Sequence, residues 1–220
     1  MGLIIDPYKF VYGPVPTFQD DYTTNTGWTQ VGTTITVNSG TAGKADGTSV
    51  PANADHRVHK ALGVTLSNSL WYADFEFNIT AVGEGAQGSI AWFSAGTGRM
   101  RDGSTDGLGV WIQRPGGTPQ IGIVKADGAT VGVSTTPTLP LSTLFYCRFE
   151  RTSTTNARLS VFTDSARTVH QTGSPINYTI DATITTLSII QHTSDASGGS
   201  AATWSGTVDT MRVYDGISPP

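Results

Sequence analysis

Residues 70–80 alternate without a break. Trp71, Ala73, Phe75, Phe77 and Ile79 fall in one phase, and Tyr72, Asp74, Glu76, Asn78 and Thr80 in the other. Side chains two apart share a face of an extended strand, whereas a helix would scatter both sets around its axis. The segment therefore predicts a long strand with one buried face, which needs a second layer to cover it. Further strands are predicted at 89–93, 108–113, 120–125, 144–150, 158–163, 187–191 and 203–214. Asp127-Gly128 between two short extended segments reads as a tight hairpin turn. No segment carries a helical apolar stripe of more than one or two turns, and no whole motif repeats, which argues against a propeller or solenoid. The expected fold class is all-β, a two-sheet antiparallel β-sandwich of the jelly-roll type.

Composition agrees. The 26 Gly and 11 Pro are scattered between short apolar runs, as turns between many strands require. Only 14% of residues are charged, so Thr, Ser, Asn and Gln must cover the surface, and Thr suits the exposed face of a strand. A formal charge of −4, with 13 Lys and Arg forming no tract, offers no field for a phosphate backbone, so no nucleic-acid partner is expected. No run is long and apolar enough to predict membrane insertion. The single cysteine, Cys147, excludes an intrachain disulfide framework. It alternates in phase with Phe145 and Phe149, which predicts a buried, inert thiol.

Residues 1–16 read as an amino-terminal arm. Leu3, Ile4, Ile5, Phe10 and Val11 are its apolar attachment residues, set off by Gly13-Pro14-Val15-Pro16. The sandwich domain is expected to occupy 17–220. Within it, 17–22 suggests an edge strand, 28–31 and 33–37 a hairpin-like pair, and 38–57 an irregular excursion. The opening Met1-Gly2-Leu3-Ile4-Ile5-Asp6-Pro7-Tyr8 lacks the basic leader and apolar stretch of a secretory signal, which sets an expectation of cytoplasmic synthesis.

Two segments carry a resemblance. Asp20-Asp21-Tyr22 with Gly27-Trp28-Thr29 looks like an opening strand, and the run from Trp204 to Gly216 like a closing strand that returns beside it. On these the chain resembles the concanavalin A-like lectin and glucanase superfamily, particularly its laminin-G-like members, over roughly residues 18–216. The resemblance implies two stacked antiparallel sheets, with sugars lying across the concave sheet or its rim loops. It also implies the option of a structural calcium where first and last strands meet, with Asp20, Asp21 and Asp209 as candidate ligands; no other cofactor is expected. The opening residues from Met1 to Tyr8 resemble the start of bacteriophage structural proteins with this fold.

The glucanases of that superfamily imply two glutamates on one strand, usually with an aspartate between them, and no such motif is present. Asp74 and Glu76 share a strand face, but retaining hydrolysis also needs carboxyl groups about 5 Å apart with split proton affinities. No Gly-x-Ser-x-Gly elbow or His-Glu-x-x-His pattern occurs. His56, His59, His170 and His192 are expected at the surface. For glycan binding the useful features are exposed rings beside amides or carboxylates. The candidates are Tyr72 with Asp74, Glu76 and Asn78, Trp111 with Gln113, and Tyr146 with Arg148 and Glu150. Trp111 and Tyr146 equally suit a strand face covered by a loop or an intersubunit contact. The glycine-rich stretch 95–107, with Arg99, Arg101, Asp102 and Asp106, suits a surface or recognition loop.

These observations together set the expectation of a non-enzymatic virion structural or decoration protein of a bacteriophage. Its expected partners are a capsid or tail protein, further copies of itself and a surface glycan. An independent carbohydrate-binding module, extracellular in location, is the alternative, and a glycoside hydrolase or polysaccharide lyase the third reading.

Overall fold

The computed structural model describes residues 13–98, 100, 105–128, 130–134, 138–194 and 202–220, which hold strands and turns but no helix. The arm residues Leu3, Ile4, Ile5, Phe10 and Val11 lie outside the described residues, as do Arg99, Arg101 and Asp102.

In chain order the strands are β1 (Phe18–Asp20), β2 (Thr29–Val31), β3 (Ile35–Val37), β4 (Ala45–Pro51), β5 (Arg57–Ala61), β6 (Trp71–Val82), β7 (Gln87–Ser94) and β8 (Gly107–Gln113). There follow β9 (Gln120–Asp127), β10 (Thr130–Val133), β11 (Leu144–Ser153), β12 (Asn156–Phe162), β13 (Ile176–Thr179), β14 (Ile189–Ser194) and β15 (Thr203–Asp215). They form two antiparallel sheets. The first runs β13-β12-β11-β6-β15-β4-β3, and β1 shares with β4 the free edge of β15; the second runs β10-β9-β8-β7-β14-β5-β2. β15 can take both because β4 pairs with its first half, up to Val208, and β1 with Met211 to Val213.

The core lies between the sheets. Trp71, Ala73, Phe75, Phe77 and Ile79 of β6 are all buried, joined on one side by Phe145, Cys147 and Phe149 of β11 and on the other by Val208, Met211 and Val213 of β15. Leu108, Val110 and Ile112 of β8, Ile121 and Ile123 of β9 and Ile190 of β14 supply the opposite wall. Burial in this apolar wall pushes the Cys147 thiol pKa well up, so the group is inert as expected. The Asp127-Gly128 turn also forms as predicted: Asp127 pairs with Thr130, and Gly128 takes φ 53°.

Two expectations are corrected. Segments 28–31 and 33–37 do not form a hairpin. β2 pairs with β5 in the second sheet while β3 pairs with β4 in the first, the chain crossing between layers at Gly32 (φ 73°). Residues 38–57 are no irregular excursion either, because β4 lies inside them. Its sequence, Ala-Asp-Gly-Thr-Ser-Val-Pro, hides the strand, since Gly47 stands where a large residue would complete the alternation. A Cβ there would come within 2.6 Å of the Trp204 ring, so glycine is required by the close approach of β15.

Candidate ligand-binding face

The outer face of the first sheet is built from side chains of alternate residues on neighbouring strands. Antiparallel register sets Tyr146 of β11 opposite Glu76 of β6, Arg148 opposite Asp74, and Glu150 opposite Tyr72. On the far side of β11, β12 contributes Phe162, Ser160 and Arg158 opposite the same three residues. Of the sequence candidates, Tyr72, Asp74, Glu76, Asn78, Tyr146, Arg148 and Glu150 are thus brought onto one surface, where cross-strand neighbours interact directly.

Two bidentate ion pairs organise it. Arg148 donates from Nε to Asp74 Oδ1 at 2.8 Å and from Nη2 to Asp74 Oδ2 at 2.9 Å. Arg158 donates from Nε to Glu150 Oε2 at 2.7 Å and from Nη2 to Oε1 at 2.8 Å. Each planar fork fixes its carboxylate in position and leaves the remaining donors and lone pairs at defined places. Burial disfavours charge on Arg148, but its bonds to and attraction by Asp74 more than offset this, and its pKa stays above the usual value. Tyr72 stacks on Tyr214 with centroids 4.4 Å apart and carries the Arg148 guanidinium 5.1 Å from its ring centre. Burial, with Tyr214 and Asp74 beside it, pushes the Tyr72 phenol up to about 12, so it stays a neutral donor.

This face is not the uniformly solvated one that alternation suggests. Tyr72 is only 1% exposed and Asp74 7%, with Tyr214 and Arg148 packed on Tyr72 and with Arg148 and Arg167 beside Asp74. What remains open is a depression of about 260 Å³ walled by Arg148, Arg158, Arg167, Glu150, Phe162 and His170, with Pro219 and Pro220 along one side. Arg158, Phe162 and Ser160 escaped the sequence reading although their alternation with Leu159 and Val161 signals a second outer face. Arg167 gave no periodic signal, since it sits in the turn between β12 and β13.

Trp111 and Gln113 are corrected as members of this platform: β8 belongs to the other sheet. Trp111 is fully buried on that sheet's outer side in a cluster with Trp92, Met100, Val124 and Ala126. Gln113 is half-buried and donates to Gln120. The covered-strand alternative is therefore the right one for Trp111.

The candidate calcium ligands do not assemble. Asp20, opposite the buried Met211, accepts from Tyr22 N at 2.7 Å, Trp28 Nε1 at 3.0 Å and Lys60 Nζ at 2.7 Å. The Lys60 ammonium, which also donates to the Thr26 carbonyl, thus supplies a positive charge beside this carboxylate. Asp21 is exposed and bonds Thr23, while Asp209 stands opposite Glu76 on the outer face and pairs with Lys44 at 3.6 Å. Among the described residues no group of three or more His, Cys, Asp or Glu is placed to hold a metal ion.

His192 is corrected from a surface residue to a buried one. Its Nδ1 lies 2.6 Å from the Ile90 carbonyl and its Nε2 3.0 Å from the Tyr22 hydroxyl, with Trp28 stacked against the ring at 5.4 Å. Burial pulls its pKa down to about 4, so the imidazole is neutral, donating at Nδ1 and accepting the Tyr22 proton at Nε2. His56 accepts at Nδ1 from the Thr33 and Thr34 amides and serves the crossover between sheets.

No protein-family model matches the chain, and no curated protein matches it in sequence. Solved structures do match in fold. A legume lectin-like domain from Entamoeba histolytica aligns with a TM-score of 0.58 at 12% identity, over 94% of this chain and 100% of that one. A Bacillus subtilis protein with a galectin-like fold aligns at 0.59 and 10% identity, over 93% and 97%. A xylan β-1,4-xylosidase from Bacillus halodurans C-125 aligns at 0.58 and 13% identity, over 96% of this chain and 41% of its own. The chain thus spans less than half of that enzyme. At these identities the likeness is one of fold, and the fold is the lectin-like, concanavalin A-type β-sandwich.

Proposed function

We propose that this chain is a non-catalytic, glycan-contacting domain. The observation that carries the reading is the state of the outer-face acids: Asp74 and Glu150 are each held in a two-point clamp by an arginine. A carboxylate whose two oxygens both accept from a guanidinium is not poised as a proton donor, so Asp74 and Glu150 do not supply the acid for glycosidic cleavage, and Glu76, which carries no such clamp, is the carboxylate the activity test addresses. The same clamps make a rigid array of donors and acceptors beside the Tyr146 ring, which is what sugar hydroxyls and an apolar sugar face require. Lectin-like neighbours in fold support the same reading. A glycan array followed by calorimetry on the best binders tests it, and Tyr146→Ala is expected to weaken the strongest interaction at least tenfold. Common β-glucans are expected to stay uncleaved. Turnover that Glu76→Gln abolishes overturns the non-catalytic part.

The second reading, favoured by the likeness of Met1 to Tyr8 to phage structural proteins, places the domain on a bacteriophage particle. There, residues 1–16 attach it to a capsid or tail protein. Its test is copurification with such a protein from infected cells, and loss of that association when residues 2–13 are deleted.

A further inference from the structure

Three guanidiniums, those of Arg148, Arg158 and Arg167, line the outer-face depression. Arg148 and Arg158 are each matched by a carboxylate, but Arg167, on the same wall, has none of its own. Its Nε is buried without a hydrogen bond. The carboxylate oxygen it approaches, Asp74 Oδ1, is 3.8 Å away and already accepts from Arg148. Arg167 is also held in place. It occupies a left-handed position (φ 56°) in a turn closed by Asp164, whose Oδ1 accepts from the amides of Thr168 and Val169. Its guanidinium lies 5.9 Å from the Tyr146 ring centre. Glu76, opposite Tyr146, and Asp209, opposite Glu76, do not line the depression. His170 on the rim packs on Phe162 and contacts Ser174.

The Nε is shut off from solvent beside Asp74, so an incoming anion meets the guanidinium through the part that lines the depression, where a planar fork fits an oxyanion at two points. We propose that this depression binds a saccharide carrying an oxyanion, a carboxylate or a sulfate ester, with Arg167 receiving the charge. The cavity, about 260 Å³, is at the small end for ligand sites and takes about one sugar ring. The proposal rests on the glycan-contact reading and adds the class of glycan.

Calorimetry with galacturonate oligomers, the same oligomers after carboxyl reduction, and sulfated galactose oligomers tests it and separates the two oxyanions. At least one acidic oligomer is expected to bind ten times more tightly than the reduced one and to weaken as sodium chloride rises. Arg167→Gln is expected to erase that advantage, and Arg167→Lys to keep part of it. Equal affinity for reduced and acidic oligomers, or an unaffected Arg167→Gln protein, overturns the charge assignment and leaves glycan contact standing. Absence of binding by every oligomer, neutral arrays included, overturns both. Should Arg167→Gln fail to fold, the Arg167 Nε–Hε resonance of the unaltered protein decides: a shift on titration with the acidic oligomer supports the proposal, and an unmoved signal overturns it.

Discussion

Phe75 sits at the centre of β6 with no exposed surface. Truncating a fully buried phenylalanine removes its transfer energy and leaves a cavity, so Phe75→Ala is expected to cost about 3–5 kcal/mol in urea unfolding. A loss below about 1 kcal/mol would mean that this face is not the core. Lys60 poses a different problem, because Asp20 is buried and leans on its charge. Lys60→Met leaves that carboxylate uncompensated and is expected to cost about 3 kcal/mol, more than Lys44→Met, which breaks a longer, half-buried pair with Asp209. His192 links stability to pH. With its folded pKa near 4 and an unfolded value near 6.5, the unfolded chain binds the extra proton between those limits, so stability rises with pH through the window. Acidification from pH 7 to 4.5 is expected to cost about 2–3 kcal/mol from this group alone. Denaturation of His192→Gln at both pH values checks this, since the variant's slope is expected to be shallower.

At the scale of elements, β6, β8, β9, β11, β12 and β15 were legible because apolar residues at every second position mark the core-facing side of each. The misread strands fail for specific reasons. β4 lacks apolar alternation because its close neighbour, Trp204, fills the space from β15. β2 and β3 were located, within 28–31 and 33–37, but wrongly paired with each other, because at three residues each they are too short for a period to show which sheet they join. Seven of the proposed glycan residues share one face because strand phase is local information. Trp111 went astray because which sheet a strand joins depends on pairings far away in sequence. The Asp74–Arg148 clamp was invisible for the same reason, its members being 74 positions apart. β8 carries its own constraint. A side chain at Gly107 would run into the Trp92 indole, and Gly107→Val is expected to cost about 1–3 kcal/mol and to perturb Trp92 fluorescence. An unchanged melt and emission would show that the Trp92 cluster yields readily.

For the whole molecule, the two sheets bury one continuous core from β1 to β15, so removal of residues 2–13 is expected to leave the melting temperature near that of the intact protein. Unfolding of the shortened chain would assign the arm to the core instead of to attachment. The pairing of β1 with β15 has a mechanical consequence. The Thr17 amide reaches the Val213 carbonyl at 2.7 Å, and the Asp215 amide reaches Thr17 Oγ1 at 3.2 Å, so the chain enters and leaves the sandwich side by side. Tension between the entry and exit points would pull across the strand pair and load its hydrogen bonds one at a time, as a zipper opens, instead of sharing the load among them. A domain built this way resists force poorly when strung in series within a taut chain, yet feels almost none when it hangs from a single anchor. The fold is mechanically suited to a pendant position, held at one point while its charged outer sheet faces whatever surface it meets.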